Sequence, residues 1–465
     1  MPAPLADIEA YLDAHRDDFE HDLCRLLEIP SVSADPQFRP AVRQAAQWMI
    51  DEFRRLGLSP RLIETSGHPL VYAETPPVPG APVALVYGHY DVQPPDPLDQ
   101  WVSPPFVPTQ RHGNLYARGA TDDKGQMLTH VKSLQAWLAT RQSLPLQLKF
   151  VIEGEEEVGS QGLHDYLHSP AADHLACDVV VVSDTSQFGI DQPALTYGLR
   201  GIVYFELLVR GPRQDLHSGS FGGSVTNPAN ALAKLLAALT DDQGRIQVPG
   251  FYDAVRPLSD LERTKLAELP FDEARYRDQL GVAALAGEAG YTTLERRWAR
   301  PTCDVHGLNS GYQGAGGKTI IPAQASAKFS FRLVPDQDPQ HITAALRAFL
   351  DARCPPGVVL DLQCLSGAPG IVVPIDSPYA QAAARAIEQG FQRAPYFIRE
   401  GGSIPIVMEF SRRLNAAALL LGWGLDDDNT HSPNEKFRLA DYHRGIRSSA
   451  WLWHELATLK RPSAT

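Results

Sequence analysis

The chain has 465 residues, room for two to four domains at roughly 100–200 residues each. Hydrophobic residues make up 43% and charged residues 21%, which excludes an intrinsically disordered chain. Asp and Glu outnumber Lys and Arg by 55 to 42, and the resulting formal charge of −13 argues against a general nucleic-acid binder, whose phosphate contacts need cations.

The N-terminal segment MPAPLADIEAYLDAHRDDFEHDL is amphipathic and acidic, without the cationic start and apolar core of a signal peptide. The longest apolar stretch, 416–421, is far too short to cross a bilayer. Cys24, Cys177, Cys303, Cys354 and Cys364 are odd in number, widely spread and free of a C-x-x-C pair, which suits reduced thiols. A cytoplasmic protein without membrane or nucleic-acid partner is expected.

Taken in chain order, the first 57 residues predict two helices. Leu5, Ile8, Leu12, Phe19, Leu23, Leu26 and Leu27 recur at helical spacing, as do Ala45, Trp48, Met49, Ile50, Phe53 and Leu56. Gly57 stands where a glycine stops the second helix. PVALVYGHYDV predicts a buried strand, with further strands at 146–152 and 179–182 and a helix in MLTHVKSLQAWLATR. After Tyr197 the style changes. GIVYFELLVRG alternates like a strand with one wet face, NPANALAKLLAAL reads as a helix, and 241–300 is a polar, insertion-like stretch. AKFSFRLVPD, PQHITAALRAFLDARC and GVVLDLQCL complete a strand–helix–strand pattern. From about Pro374 the earlier style returns with helix YAQAAARAIEQGF, strand NAAALLLGWG and a closing helix in DYHRGIRSSAWLWHELATL. The expected fold class is α/β: a catalytic domain (1–198 and 373–465) on a central mixed, mostly parallel sheet, interrupted by an inserted α+β domain at 199–372.

Chemistry-bearing residues follow the strand ends, where open α/β sheets bind ligands. They lie in YGHYDVQP, RGATDDKG, EGEEEVGS, VVSDTSQ and NTHSPNE. Singly, each has an ordinary reading: His89 as a structural histidine, Asp122 and Asp123 as helix caps, Glu155, Glu156 and Glu157 as a solvated acidic face, Asp184 as a cap, His431 as a loop histidine. Jointly those readings fail, because three strands deliver carboxylates to one rim, where they repel unless something positive lies between them. Two histidines and several carboxylates around one or two divalent cations resolve the conflict, and mixed His/carboxylate ligation suits zinc, manganese or cobalt. In His89-Tyr90-Asp91 the i, i+2 spacing lets Asp91 brace the imidazole. Within Glu156-Glu157, one glutamate can hold an ion while its neighbour serves as general base. The GYQGAGGKT segment fails the phosphate-loop spacing, no G-x-S-x-G occurs, and Asp426, Asp427 and Asp428 read as a solvated turn.

These segments, with DLHSGSFGG, GGKTIIPAQASAKFSFRLVPDQDP, REGGSIP and HSPNEKF, resemble the zinc-aminopeptidase-like metallopeptidases, the family of carboxypeptidase G, peptidase T and the carnosinases, and most of all its cytosolic nonspecific dipeptidase branch. The resemblance covers nearly the whole chain. It implies two divalent metal ions, zinc or manganese, with His89 and Asp184 on one, Glu157 and His431 on the other, and Asp122 bridging them, followed by a cis peptide bond to Asp123. It implies Asp91 as orienter, Glu156 as general base, and 199–372 as a lid and dimerisation domain. Through it a homodimer would bring His217 to the neighbouring active site to stabilise the oxyanion. Arg332 would clamp the substrate carboxylate, with Thr319 and Ser403 as further polar contacts, while Asp184 and His431 also border the substrate. The family's aminopeptidases and dipeptidases carry Asp at the Asp184 position, where its carboxypeptidases and deacylases carry Glu. Hydrolysis of dipeptides with free amino and carboxyl ends is therefore expected. The alternatives are an N-acyl-amino-acid amidohydrolase or carboxypeptidase on the same scaffold, or an inactive metal-binding scaffold, which would need a broken site residue.

Overall fold

The apolar spacing of the N-terminal region produces three helices rather than two: α1 (Ala6–Ala14), α2 (Arg16–Leu27) and α3 (Arg39–Arg55). The break falls at His15, whose ring stacks on Tyr11 at 3.8 Å and whose Nδ1 lies 2.9 Å from the Tyr11 carbonyl. A one-residue interruption leaves the apolar period intact, so the pattern does not reveal it. Gly57 ends α3 at φ +82°, with Gly57 N–H donating to Arg54 O and Leu58 N–H to Phe53 O, the paired bonds of a left-handed helix stop. These helices belong to a computed structural model that describes residues 5–402, 404–459 and 461.

Strands β1 (Arg61–Ile63), β2 (Leu70–Glu74) and β3 (Val83–His89) follow, then the short β4 (Thr109–Arg111) and β5 (Asn114–Tyr116). Helix α4 (Lys124–Arg141) leads to β6 (Gln147–Glu153), α5 (Gln161–Leu167), β7 (Val179–Ser186) and β8 (Ala194–Leu199). The next stretch holds β9 (Gly201–Arg210), β10 (Leu216–His217), α6 (Ser218–Phe221) and α7 (Pro228–Ala237). The polar 241–300 stretch contains α8 (Asp260–Ala267), α9 (Glu273–Leu280) and α10 (Thr293–Trp298), of which α8 and α10 open on capping boxes, Ser259/Glu262 and Thr292/Glu295. After these come β11 (Thr302–Ser310), β12 (Ile320–Ile321), β13 (Gln324–Leu333), α11 (Pro339–Asp351), β14 (Val359–Ala368) and β15 (Ile371–Val372). The chain closes with α12 (Pro378–Phe391), β16 (Tyr396–Glu400), α13 (Pro405–Leu414), β17 (Ala417–Gly424), β18 (Lys436–Arg438) and α14 (Leu439–Ala457).

Two compact units result. Unit 1 comprises the described residues up to Tyr197, Val373–Ile398 and those from Ile406 onward; unit 2 comprises Gly198–Val372 and Arg399–Pro405. The main sheet of unit 1 runs β1-β2-β6-β3-β7-β17-β8. It is mixed, as expected, but parallel only among its central strands β6, β3, β7 and β17. Both flanks are antiparallel, so the mostly parallel character is confined to the centre. In unit 2 the sheet β11-β13-β9-β14 is antiparallel throughout and packs one apolar face, including Phe205, Phe329 and Phe331, with Leu235 of α7 and Leu346 of α11 in a core of its own. Among the described residues no helix is long and apolar enough to cross a membrane.

Helix α4 lies against the sheet of unit 1 and is buried on every side along most of its length. Its polar side chains therefore need internal partners. Lys124 Nζ donates to the carbonyls of Leu26 and Ile29, Lys132 Nζ to Asp22 and Glu52 at 2.6 Å each, and His130 Nε2 meets Ser183 Oγ at 2.8 Å. The lysine bonds join the N-terminal region to α4, and the His130–Ser183 bond joins α4 to β7. The apolar counterpart is Phe53 of α3, fully buried with its ring 5.0 Å from that of Phe150 on β6. Replacing Phe53 by Ala should cost about 3–5 kcal/mol. The measurement is the urea midpoint of the transition followed by tryptophan fluorescence; an unshifted midpoint contradicts this packing.

Candidate metal centre

Parallel strands expose their carboxyl ends on one edge, and β3, β6 and β7 each end in chemistry there. His89 is the last residue of β3 and pairs in register with Glu153, the last of β6. Tyr87 pairs with Val182 of β7, and His89 and Asp184 each lie two residues further along. Gly88 precedes the histidine because a Cβ there would lie 2.5 Å from Met127 Cγ on α4. Glycine thus lets α4 close on the strand end and brings Asp122 and Asp123, just before that helix, beside His89.

The structure brings the sequence candidates of unit 1 together. One ligand atom from each of His89, Asp122 and Asp184 lies within 4.8 Å of the others, and the same holds for Asp122, Glu157 and His431. Asp122 belongs to both groups and faces both ways: Oδ1 is 3.2 Å from His89 Nε2, and Oδ2 is 2.9 Å from His431 Nε2. Glu157 Oε2 is 3.3 Å from that same His431 nitrogen. The Asp122–Asp123 peptide bond is cis. Asp91, fully buried, presents Oδ1 3.3 Å and its carbonyl 3.1 Å from His89 Nδ1, while its Oδ2 accepts the Glu157 backbone N–H. Gln93 Nε2 also donates to Glu157 Oε2 at 2.8 Å. Glu155 stands apart from the cluster and accepts from the Gly162 N–H.

The charges are out of balance. Burial, then Asp122 and Asp123, push the Asp184 carboxyl well above the usual range. Burial likewise raises Asp123, and it pushes Glu156 up to about 7 and Glu153 to about 8. Burial opposes ionisation of Asp122 too, but the facing imidazoles of His431 and then His89 outweigh it and hold Asp122 low. His431 is pushed up to about 10 by Asp122 and then Glu157. His89 Nε2 is buried without a hydrogen bond. Two imidazole nitrogens, three carboxylates, an orphaned ring nitrogen and surplus negative charge fit divalent cations of the zinc and manganese kind.

Two carboxylates to which the sequence assigns no role at the site, Glu435 and Asp428, organise it. Glu435 is fully buried and accepts from the backbone N–H groups of Gly119, Thr121 and Asp122 and from Arg118 Nη1, at 2.7–3.1 Å. It clasps the Asp122 loop to the His431 loop. Within its segment NTHSPNE the sequence singles out only the histidine. Asp428 corrects the expectation of a solvated Asp426–Asp427–Asp428 turn. Asp426 and Asp427 are exposed, but Asp428 is fully buried, accepting from Thr121 Oγ1, Leu425 N–H and Lys436 Nζ.

The remaining candidates belong to unit 2. His217 and Thr319 are neighbours there: β10 pairs with β12, and the Thr319 carbonyl accepts the Ser218 N–H. His217 is exposed, and its Nδ1 accepts the N–H groups of Gly219 and Ser220. Arg332 is half-buried on β13, between β11 and β9, rather than on an edge strand. Ser403 lies outside the described residues.

A mixed α/β sheet whose parallel strand ends gather histidines and carboxylates into adjoining ligand sets defines a metal-dependent hydrolase. The sequence profile of peptidase family M20/M25/M40 matches residues 85–454, and the chain belongs to that family. It is 34% identical to the Cys-Gly metallodipeptidase of Schizosaccharomyces pombe over 99% of this chain and 100% of that protein. It is also 34% identical to the Homo sapiens Beta-Ala-His dipeptidase, over 98% of this chain and 94% of that one. The structure of human carnosine dipeptidase 1 matches with TM-score 0.83 at 33% identity, covering 98% of this chain and 100% of that chain. An M20 family metallo-carboxypeptidase from Sulfolobus solfataricus matches with TM-score 0.84 at 30% identity, covering 95% and 99%. The chain is a metallopeptidase.

Glu435→Gln removes the anionic acceptor while keeping the length of the side chain and an acceptor oxygen. The expected result is metal affinity about 10–100-fold weaker, read by competition with a chromogenic chelator. Wild-type affinity in this variant would show that Asp122 is placed without it.

Proposed function

We propose that the protein is a dipeptidase acting on dipeptides with free amino and carboxyl ends, using two divalent ions, zinc or manganese. The observation that carries this reading is the shared Asp122 between the His89/Asp184 and Glu157/His431 sets, in a chain whose whole-length relatives are named dipeptidases.

Bound ions at these sets would supply Lewis acidity, polarising the scissile carbonyl and acidifying a water. The chain's residues do the rest. Asp91 fixes the His89 ring and the Glu157 backbone, so both ligands are pre-positioned. Glu156, beside Glu157 and raised by burial toward neutrality, takes a proton from the attacking water and returns it to the leaving amine. The short side chain of Asp184 leaves space for the substrate ammonium, with His431 along the same border. Arg332 holds the substrate carboxylate through its planar fork, with Thr319 and Ser403 as added polar contacts. The 199–372 segment serves as lid and dimerisation domain, and His217 of a second copy of the chain donates its Nε2–H to the oxyanion. Its support is local: two backbone donors on Nδ1 leave the proton on Nε2. The cellular setting proposed is the cytoplasm.

Glu156→Gln should retain its metal, measured by elemental analysis, and lose about 10²–10⁴-fold in kcat. Near-wild-type turnover would remove Glu156 from the base role. Chelation should abolish hydrolysis of Xaa-Yaa dipeptides, and zinc or manganese should restore it. N-acetylation of the substrate separates the reactions: a dipeptidase loses activity when the amine is blocked, whereas an N-acyl hydrolase or carboxypeptidase keeps or gains it.

A further inference from the structure

A cavity of about 340 Å³ opens in unit 1 between the α1–α2 junction, the end of α12 and the start of α14, and it shares no residue with the metal centre. Ligand pockets run from roughly 300 to 1,000 Å³, so there is room for one small molecule. Its walls divide by chemistry. Leu12, Phe19, Phe391 and Ile446, at most 8% exposed, form an apolar side. Arg16, Arg444 and Arg447 form the polar side. Positions 440, 443, 444 and 447 of α14 follow helical i, i+3, i+4, i+7 spacing, which places both α14 arginines on one face toward the cavity.

The three guanidiniums are not equally engaged. Arg444 shares Asp191 and the buried Asp441 with Arg438. Arg447 Nη2 binds Asp13 Oδ1 at 2.7 Å, but its Nε is buried without an acceptor. Arg16 makes no side-chain hydrogen bond or ion pair with any described residue. His443, also in the wall, is engaged by Glu20 at 2.7 Å. Arg444 and His443 are thus held by carboxylates outside the lining, which leaves Arg16 and Arg447 facing one carboxylate, Asp13. Arg447 Nη1 and the Arg16 fork have no acceptor among the described residues, and guanidinium forks match the oxygen spacing of carboxylates and phosphates.

We propose that this cavity binds a small organic anion, a carboxylate or phosphate group on a compact apolar body, with Arg16 and Arg447 holding the anion and Phe19 and Phe391 the body.

The test is calorimetric titration of the metal-loaded protein with phenyl phosphate, phenylacetate and, as neutral control, benzyl alcohol. Wild type, Arg16→Ala and Arg447→Met are compared. Expected is saturable one-to-one binding of at least one of the two anions, weakened tenfold or more in both variants, with none for the alcohol. The two anion arms decide which headgroup the site takes. Unchanged affinity in both variants overturns the proposal, because the anion then sits elsewhere, the metal ions included. So does failure of both anions to bind at millimolar concentration, or equal binding of the alcohol. Arg16 is exposed and unpaired, so Arg16→Ala should melt with the wild type in the absence of ligand, which separates lost binding from lost folding.

Discussion

The constraint on which the rest depends is the crowding of carboxylates at the ends of β3, β6 and β7. Asp91, Asp123 and Glu153 are wholly withdrawn from water, and Asp122, Glu156, Glu157 and Asp184 crowd the same edge. Burial first, and then the like charges alongside, displace Asp184, Asp123, Glu153 and Glu156 upward. The arrangement is a poor way to stabilise a fold and a good way to hold cations. The surrounding architecture keeps it in place. Parallel strands direct their ends to one edge, and α4, buried along most of its length, excludes water beneath it, so the field of the cluster is little screened.

Around the ligand groups stands a second set of carboxylates whose task is placement. Each joins two segments far apart in the chain. Asp91 ties the end of β3 to the Glu157 backbone, Asp123 accepts the His89 N–H, Glu435 clasps the 118–122 loop, and Asp428 holds Thr121 and Lys436. Acceptance of several backbone N–H groups compensates a buried carboxylate for lost water, and it fixes those amides in return. The geometry of Asp122 is thus set from behind by Glu435 and from in front by the two histidines.

Much of this was legible in the sequence, for a physical reason: buried strands are apolar runs, and ligand residues must follow them. The apolar runs in PVALVYGHYDV, 146–152 and 179–182 read as strands, though the third continues through Asp184 to Ser186, and Asp91 announced its contact with His89 through two-residue spacing. Features set by tertiary partners did not read. Nothing local distinguishes Asp428 from its exposed neighbours Asp426 and Asp427; only the approach of Thr121 and Lys436 buries it. The helices α8 and α9 in the polar stretch carry weak apolar stripes, with Leu266 the one buried residue of α8 and none in α9, so their caps were the available signal. The flanking strands β1, β2 and β8 are short, and their antiparallel pairing depends on partners elsewhere in the chain.

The two histidines most distinctive in sequence context show how backbone geometry divides labour among identical side chains. His89 faces acceptors on both sides, the carboxylate and carbonyl of Asp91 at Nδ1 and Asp122 Oδ1 at Nε2, so a cation that takes Nε2 leaves the ring's proton on Nδ1, where Asp91 receives it. His217 Nδ1 faces only donors, the N–H groups of Gly219 and Ser220, so it must be unprotonated, and the neutral ring carries its proton on Nε2. The first tautomer makes a metal ligand and cannot donate from Nε2; the second makes a hydrogen-bond donor whose other nitrogen is already engaged. An imidazole in the first setting could not serve the oxyanion, nor one in the second offer Nε2 to a cation without losing its proton. The roles proposed for His89 and His217 therefore rest on what opposes Nδ1, a property of the loops Tyr90–Asp91 and Ser218–Ser220 rather than of the ring.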